Sequence, residues 1–169
     1  MNVSSNELQM VVLKACRGVG VPIAQAQEVA AAVAASPQSI PDLLKHLSQP
    51  FQKAEFDFTT GLKVKNINIL IDFPACADAA QQGVGPIILR GVGTCGLISA
   101  LARNLEVTVE ARSNDLTVSK CIKSKILPKR CSIIAKEWMA LNQYAALTYV
   151  PENDQSRVGG AGAGLTDND

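Results

Sequence analysis

The apolar residues of this chain recur at helical intervals up to about residue 48 and then give way to β-branched and alternating runs from about residue 62. A chain so divided must build helices first and a sheet afterwards, which points to an α+β fold and away from an all-helical bundle or a β-sandwich. In the helical part, Ser4 with Glu7 three positions on fits a capping box, and Leu8, Val11, Val12, Ala15 and Cys16 share one face before Gly18 and Gly20. Pro22 opens a second helix with Ile23, Ala26, Val29, Ala30 and Val33 inward, and its alanines permit close packing. After Ser36-Pro37, Ser39 and Asp42 are expected to cap a third helix that buries Leu43, Leu44 and Leu47 and ends near Pro50.

In the second part, residues 62–71 read as a strand with Val64, Ile67, Ile69 and Ile71 as its apolar positions, stopped by Phe73-Pro74. A short helix over 75–82, a buried strand over 86–92 and a brief helix over 97–104 follow. Leu105, Val107, Val109 and Ala111 alternate with Glu106, Thr108, Glu110 and Arg112, the pattern of a half-buried strand, and 116–121 returns as its partner across Ser113-Asn114-Asp115. Residues 133–135 suit one more strand. A last helix over 136–149 should place Trp138, Leu141 and Ala145 near the core, with Leu147 or Thr148. The whole is expected to be a single domain of 169 residues: a helical segment over 1–50, an α+β body over 51–150 and a glycine-rich tail over 151–169.

Hydrophobic residues make up 47% of the chain and charged ones 18%, so part of the surface is expected to be covered by a second copy, as a homo-oligomer with a preference for a dimer. A net charge of +1 gives no overall pull toward nucleic acid or an anionic membrane. The five cysteines are odd in number and well separated, and no secretory leader pattern opens the chain, so free thiols in the cytoplasm are expected. The longest wholly apolar stretch, 29–35, falls far short of the roughly 20 residues that span a bilayer.

Gly91-Val92-Gly93-Thr94-Cys95-Gly96 spells G-x-G-x-x-G between a strand and a helix, with Glu110 at the end of the next strand. That context is what a dinucleotide fingerprint needs, because glycines let a pyrophosphate approach backbone amides at a helix N-terminus. Gly91, Gly93, Thr94 and Gly96 are therefore the candidate ligand-binding residues, with Arg157, whose guanidinium can fork onto a carboxylate. Against this, the helix is short, 105–121 reads as an antiparallel hairpin, and a plain tight turn explains the same glycines; in that case Gly93 is expected to hold a positive φ.

Cys95 is the candidate nucleophile, its thiol pKa lowered by the helix N-terminus, and His46, the single histidine, is the candidate base. An inert thiol and a solvated histidine are the plainer alternative. Lys120, Lys123, Lys125, Lys129 and Arg130 form a basic run without interleaved aromatics, which suits a solvated face better than a nucleic-acid surface. The acidic tail can also dock on it. One histidine and scattered carboxylates supply no metal-ligand spacing, and no cofactor is expected.

Ser5-Asn6-Glu7, Ala15-Cys16-Arg17-Gly18-Val19-Gly20, Tyr149-Val150-Pro151, Ser156-Arg157 and the Gly-Ala-Gly-Ala-Gly-Leu-Thr-Asp-Asn-Asp ending together resemble a family of uncharacterised bacterial proteins of about this length. The resemblance covers both ends and brings no activity. More loosely, Arg17-Gly18-Val19-Gly20-Val21-Pro22 is similar to the N-terminal helices of the malate and L-lactate dehydrogenases that lack a Rossmann fold. The reading is thus of N-terminal helices packed on a small mixed or antiparallel sheet in a binding or accessory protein. A small enzyme or nucleotide-binding protein using the Gly91 to Gly96 turn is the alternative, and a nucleic-acid binder using the basic run the weaker one.

Overall fold

The computed structural model describes residues 2–59, 61–121 and 130–148, the Arg130 side chain excepted. A short strand, β1 (Asn2–Ser4), leads straight into helix α1 (Ser5–Gly18). Ser4 caps it as expected: its hydroxyl accepts from the Glu7 amide at 3.1 Å, and the Glu7 carboxylate accepts from the Ser4 amide at 2.7 Å. Leu8, Val12, Ala15 and Cys16 are buried, and Val11 packs at the edge of the core.

The Pro22 carbonyl accepts the first intrahelical bond of α2 (Ile23–Ala35), whose Ala26, Val29, Ala30 and Val33 are buried. Ile23 departs from expectation. As the first helical residue it reaches past the packed face and stays 53% exposed, on the rim of a surface groove. A single 3-10 turn, Pro37–Ser39, then redirects the chain into α3 (Ile40–Leu47), which buries Ile40, Leu43 and Leu47.

The sheet is mixed. Strands β2 (Glu55–Asp57), β3 (Lys63–Lys65), β4 (Ile87–Arg90), β5 (Val107–Arg112) and β6 (Asp115–Lys120) lie in the order β2-β3-β4-β6-β5. Among these five strands the one parallel pair is β3 with β4, joined through helix α4 (Asp72–Gln81), and β4 reaches β5 through helix α5 (Gly96–Asn104). The hairpin β5–β6 pairs Val109 with Val118 and Ala111 with Leu116, so the alternating residues read from the sequence fall on a single face. That face, with Val64, Ile87, Leu89, Leu116 and Val118 buried, meets the helices.

The strand expected over 62–71 is cut short after Lys65. Asn66 turns with φ 55°, and Asn68 then organises a helix start: its side-chain oxygen accepts from the Leu70 amide at 2.9 Å while its own amide donates to Asp72 at 2.7 Å. These local bonds outweigh the β-propensity of Ile67, Ile69 and Ile71. Phe73-Pro74 consequently terminates nothing; both residues lie buried in the first turn of α4, where the missing proline N–H costs no helical bond.

Among the described residues the last strand is β7 (Arg130–Ser132), earlier than the expected 133–135, and it pairs antiparallel with β1 as a separate two-stranded sheet. It feeds α6 (Ala135–Ala146), which buries Leu141 and Ala145 and half-buries Trp138. Leu147 is exposed, and the Thr148 hydroxyl instead donates to the Ala145 carbonyl at 2.7 Å. Helix α1 lies between α2 and α6, and at Gly18 the approach to α6 is so close that a Cβ would strike the Tyr144 carbonyl oxygen. One connected core runs from Val3 to Ala145.

Candidate functional site

The glycine turn sits where the sequence places it, between β4 and α5, but its amides face the protein's own carboxylates. Asp42, in the first turn of α3, was expected to cap its own helix. Its Oδ2 accepts instead from the amides of Gly96 at 2.6 Å and Leu97 at 3.3 Å, the first two residues of α5. Ser39 does not cap α3 either, because its hydroxyl donates to the Ser36 carbonyl at 2.7 Å. A carboxylate at a helix N-terminus neutralises unpaired N–H groups and the positive end of the helix dipole, which is the role a bound phosphate would play.

The other end of the turn is held in the same way. The Gly91 amide donates to Asp115 Oδ1 at 3.1 Å, and Asp115 Oδ2 is paired with Arg90 Nη1 at 2.8 Å. Asp115 thus ties β4 to its neighbour β6 at the point where Gly91, at φ 72°, turns the chain out of the sheet. Gly93 and Thr94 are exposed between these two anchors. The positive φ expected at Gly93 belongs to Gly91, and a Cβ on either glycine would meet open space. Gly91→Ala is therefore expected to cost about 1 kcal/mol through backbone strain alone. Gly93→Ala should leave stability unchanged or slightly raised, and urea denaturation of the two variants checks the contrast; equal losses would place the strain elsewhere.

Cys95 precedes α5 in extended conformation and is half-buried. Its thiol pKa is raised, contrary to the activation expected: burial is the main cause and the Asp42 charge adds to it, outweighing the lowering by the Ile98 and Leu97 amides and Lys45. The carboxylate at the helix N-terminus opposes the stabilisation that its amides would give a thiolate. His46 lies one helical turn beyond Asp42 on α3, and burial lowers its pKa, with Lys45 in the same sense and Gln49 and Asp42 opposing. It lines a hollow of about 310 Å³ with Gln49, Gln52, Ile67 and Asn68, and Cys95 is not among the walls. Asp42 and Lys45 are charged neighbours that the two residues share; no direct Cys95–His46 contact marks a dyad.

Burial pushes the Cys16 and Cys76 thiols up to about 12, which fits inert core residues. All five cysteines are free. Lys120, at the end of β6, donates to the Gln81 carbonyl at 3.3 Å. Lys123, Lys125, Lys129 and the tail with Arg157 lie outside the described residues, as does the docking expected between them. Among the described residues no helix is long and apolar enough to cross a membrane.

A second feature escaped the sequence reading. Phe56 and Phe58, on and just after the edge strand β2, are 54% and 71% exposed with ring centroids 6.4 Å apart and nearly parallel planes. They overhang α4 and, with Leu62, Ala75, Cys76 and Ala79, wall an apolar slot of about 150 Å³. The alternation of Phe56 and Phe58 with acids was visible in Glu55-Phe56-Asp57-Phe58, but which side would be left uncovered depended on β2 taking the sheet edge.

No protein-family model, curated protein or solved structure matches this chain.

Proposed function

We propose that the chain is a binding or accessory protein that works as a homo-oligomer, in keeping with the uncharacterised bacterial family its two ends resemble. The observation that carries this reading is the Asp42 carboxylate on the Gly96 and Leu97 amides. The anion seat that would make the turn a nucleotide site is filled from within the protein. The neighbouring thiol is raised rather than activated, which counts against the catalytic alternative at this turn. Nucleotide binding at Gly91, Gly93, Thr94 and Gly96 would require Asp42 to leave.

The surface best suited to a partner is the Phe56–Phe58 edge. A slot of about 150 Å³ is below the roughly 300–1,000 Å³ of small-molecule sites, yet it can receive an aliphatic or aromatic side chain. Aromatic anchors entering such slots contribute most at protein interfaces. Direct pairing of two β2 edges about Phe56 would set Glu55 against Asp57 of the other copy, so the rings and not strand addition are the contact in this reading. Light scattering should then give a dimer mass at micromolar concentration for the unaltered chain and a monomer mass for Phe58→Ser with an unchanged circular dichroism spectrum. A monomer mass for the unaltered chain throughout that range would sink the oligomer reading.

A further inference from the structure

Helices α1 and α6 run side by side in the same direction: Gly18 abuts Tyr144 and Leu147 at their C-terminal ends, and Val11 and Trp138 share a hollow nearer their N-terminal ends. Two hollows line this junction. One, of about 520 Å³, is walled by Asn6, Glu7, Gln9, Met10, Val11 and Trp138. The other, of about 490 Å³, takes in Met10, Leu13, Ile23, Leu147 and Thr148, with Lys14 and Arg17 at its border. Met10, 53% exposed, lines both, so the two hollows adjoin along α1 as a groove in two parts.

We propose that this groove is the docking track of the chain's own C-terminal segment, residues 149–169, entered by Tyr149, Val150 and Pro151. The described chain ends inside the groove, because Leu147 and Thr148 are part of its wall. From there the track to Asn6 follows α1 for about 16 Å at 1.5 Å per residue, a distance that about five extended residues cover. The segment has that length several times over. Its first residues, Tyr149, Val150 and Pro151, are largely apolar, matching Met10, Leu13 and Ile23 at the end of the groove where Thr148 lies.

Trp138, the only tryptophan in the chain, stands in the groove and reports its occupancy. The test compares tryptophan emission and acrylamide quenching in the full chain, in the chain ending at Thr148, and in a full-length Val150→Asp variant. The third keeps the test alive if the truncated chain fails to fold. The expected result is a shift of emission to longer wavelength and steeper quenching in both variants, the same at all protein concentrations and the same in a Phe58→Ser background, which separates this test from the self-association above. Unchanged emission and quenching in the Val150→Asp chain and in any folded truncated chain would overturn the proposal. So would a shift that appears in the unaltered chain on dilution, since the groove would then be covered by a second copy.

Discussion

Phe73→Ala is expected to cost about 3–5 kcal/mol, the range for truncating a buried aromatic side chain. Phe73 is fully buried and heads the fully buried side chains by volume. It sits in the first turn of α4, the helix that links the parallel pair β3 and β4 and packs on β6, so the cavity would open where helix, crossover and sheet meet. Small domains are stable by only about 5–15 kcal/mol, so a loss of this size takes a large part of the total. Urea denaturation would show it as a lower midpoint. A loss under about 1 kcal/mol would mean that Phe73 is not in the core.

Asp42→Ala is expected to cost about 1.5–3 kcal/mol, because it removes a charge-assisted acceptor from two amides that have no helical partner. It also severs the one side-chain tie between α3 and α5 among the described hydrogen bonds. Asp42→Asn keeps a side-chain oxygen for the same amides and should lose less, since asparagine caps helices nearly as well as aspartate. Thermal or urea unfolding of both variants separates a cap from a bystander. Losses for Asp42→Ala within about 0.5 kcal/mol of zero would be those of an ordinary surface substitution and would remove the cap from the account.

What could be read in the sequence was whatever depends on neighbours along the chain. The capping box at Ser4 and Glu7, the buried face of α1 and α2, and the alternation of the β5–β6 hairpin all follow from spacing over a few residues. The departures came where a local bond or a distant partner decided. Asn68 and Asp72 converted an apolar, β-branched run into a helix start, although Asn-x-x-x-Asp ahead of Phe73 was present as a signal. Asp42 found its amides more than fifty residues away, a pairing no local spacing reveals. The candidate site suffered most from this: the G-x-G-x-x-G residues were located correctly, but the sequence could not tell whether a ligand or the protein would fill the helix N-terminus.

The most direct measurement is a heteronuclear NMR titration of the unaltered protein with ATP and with NAD, following the backbone amide resonances of Gly96 and Leu97. With Asp42 holding both amides, those resonances should stay in place at millimolar ligand. Saturable movement of the two resonances, together with those of Gly91 and Gly93, would show that the carboxylate yields its seat to a phosphate and that the turn is a nucleotide site after all.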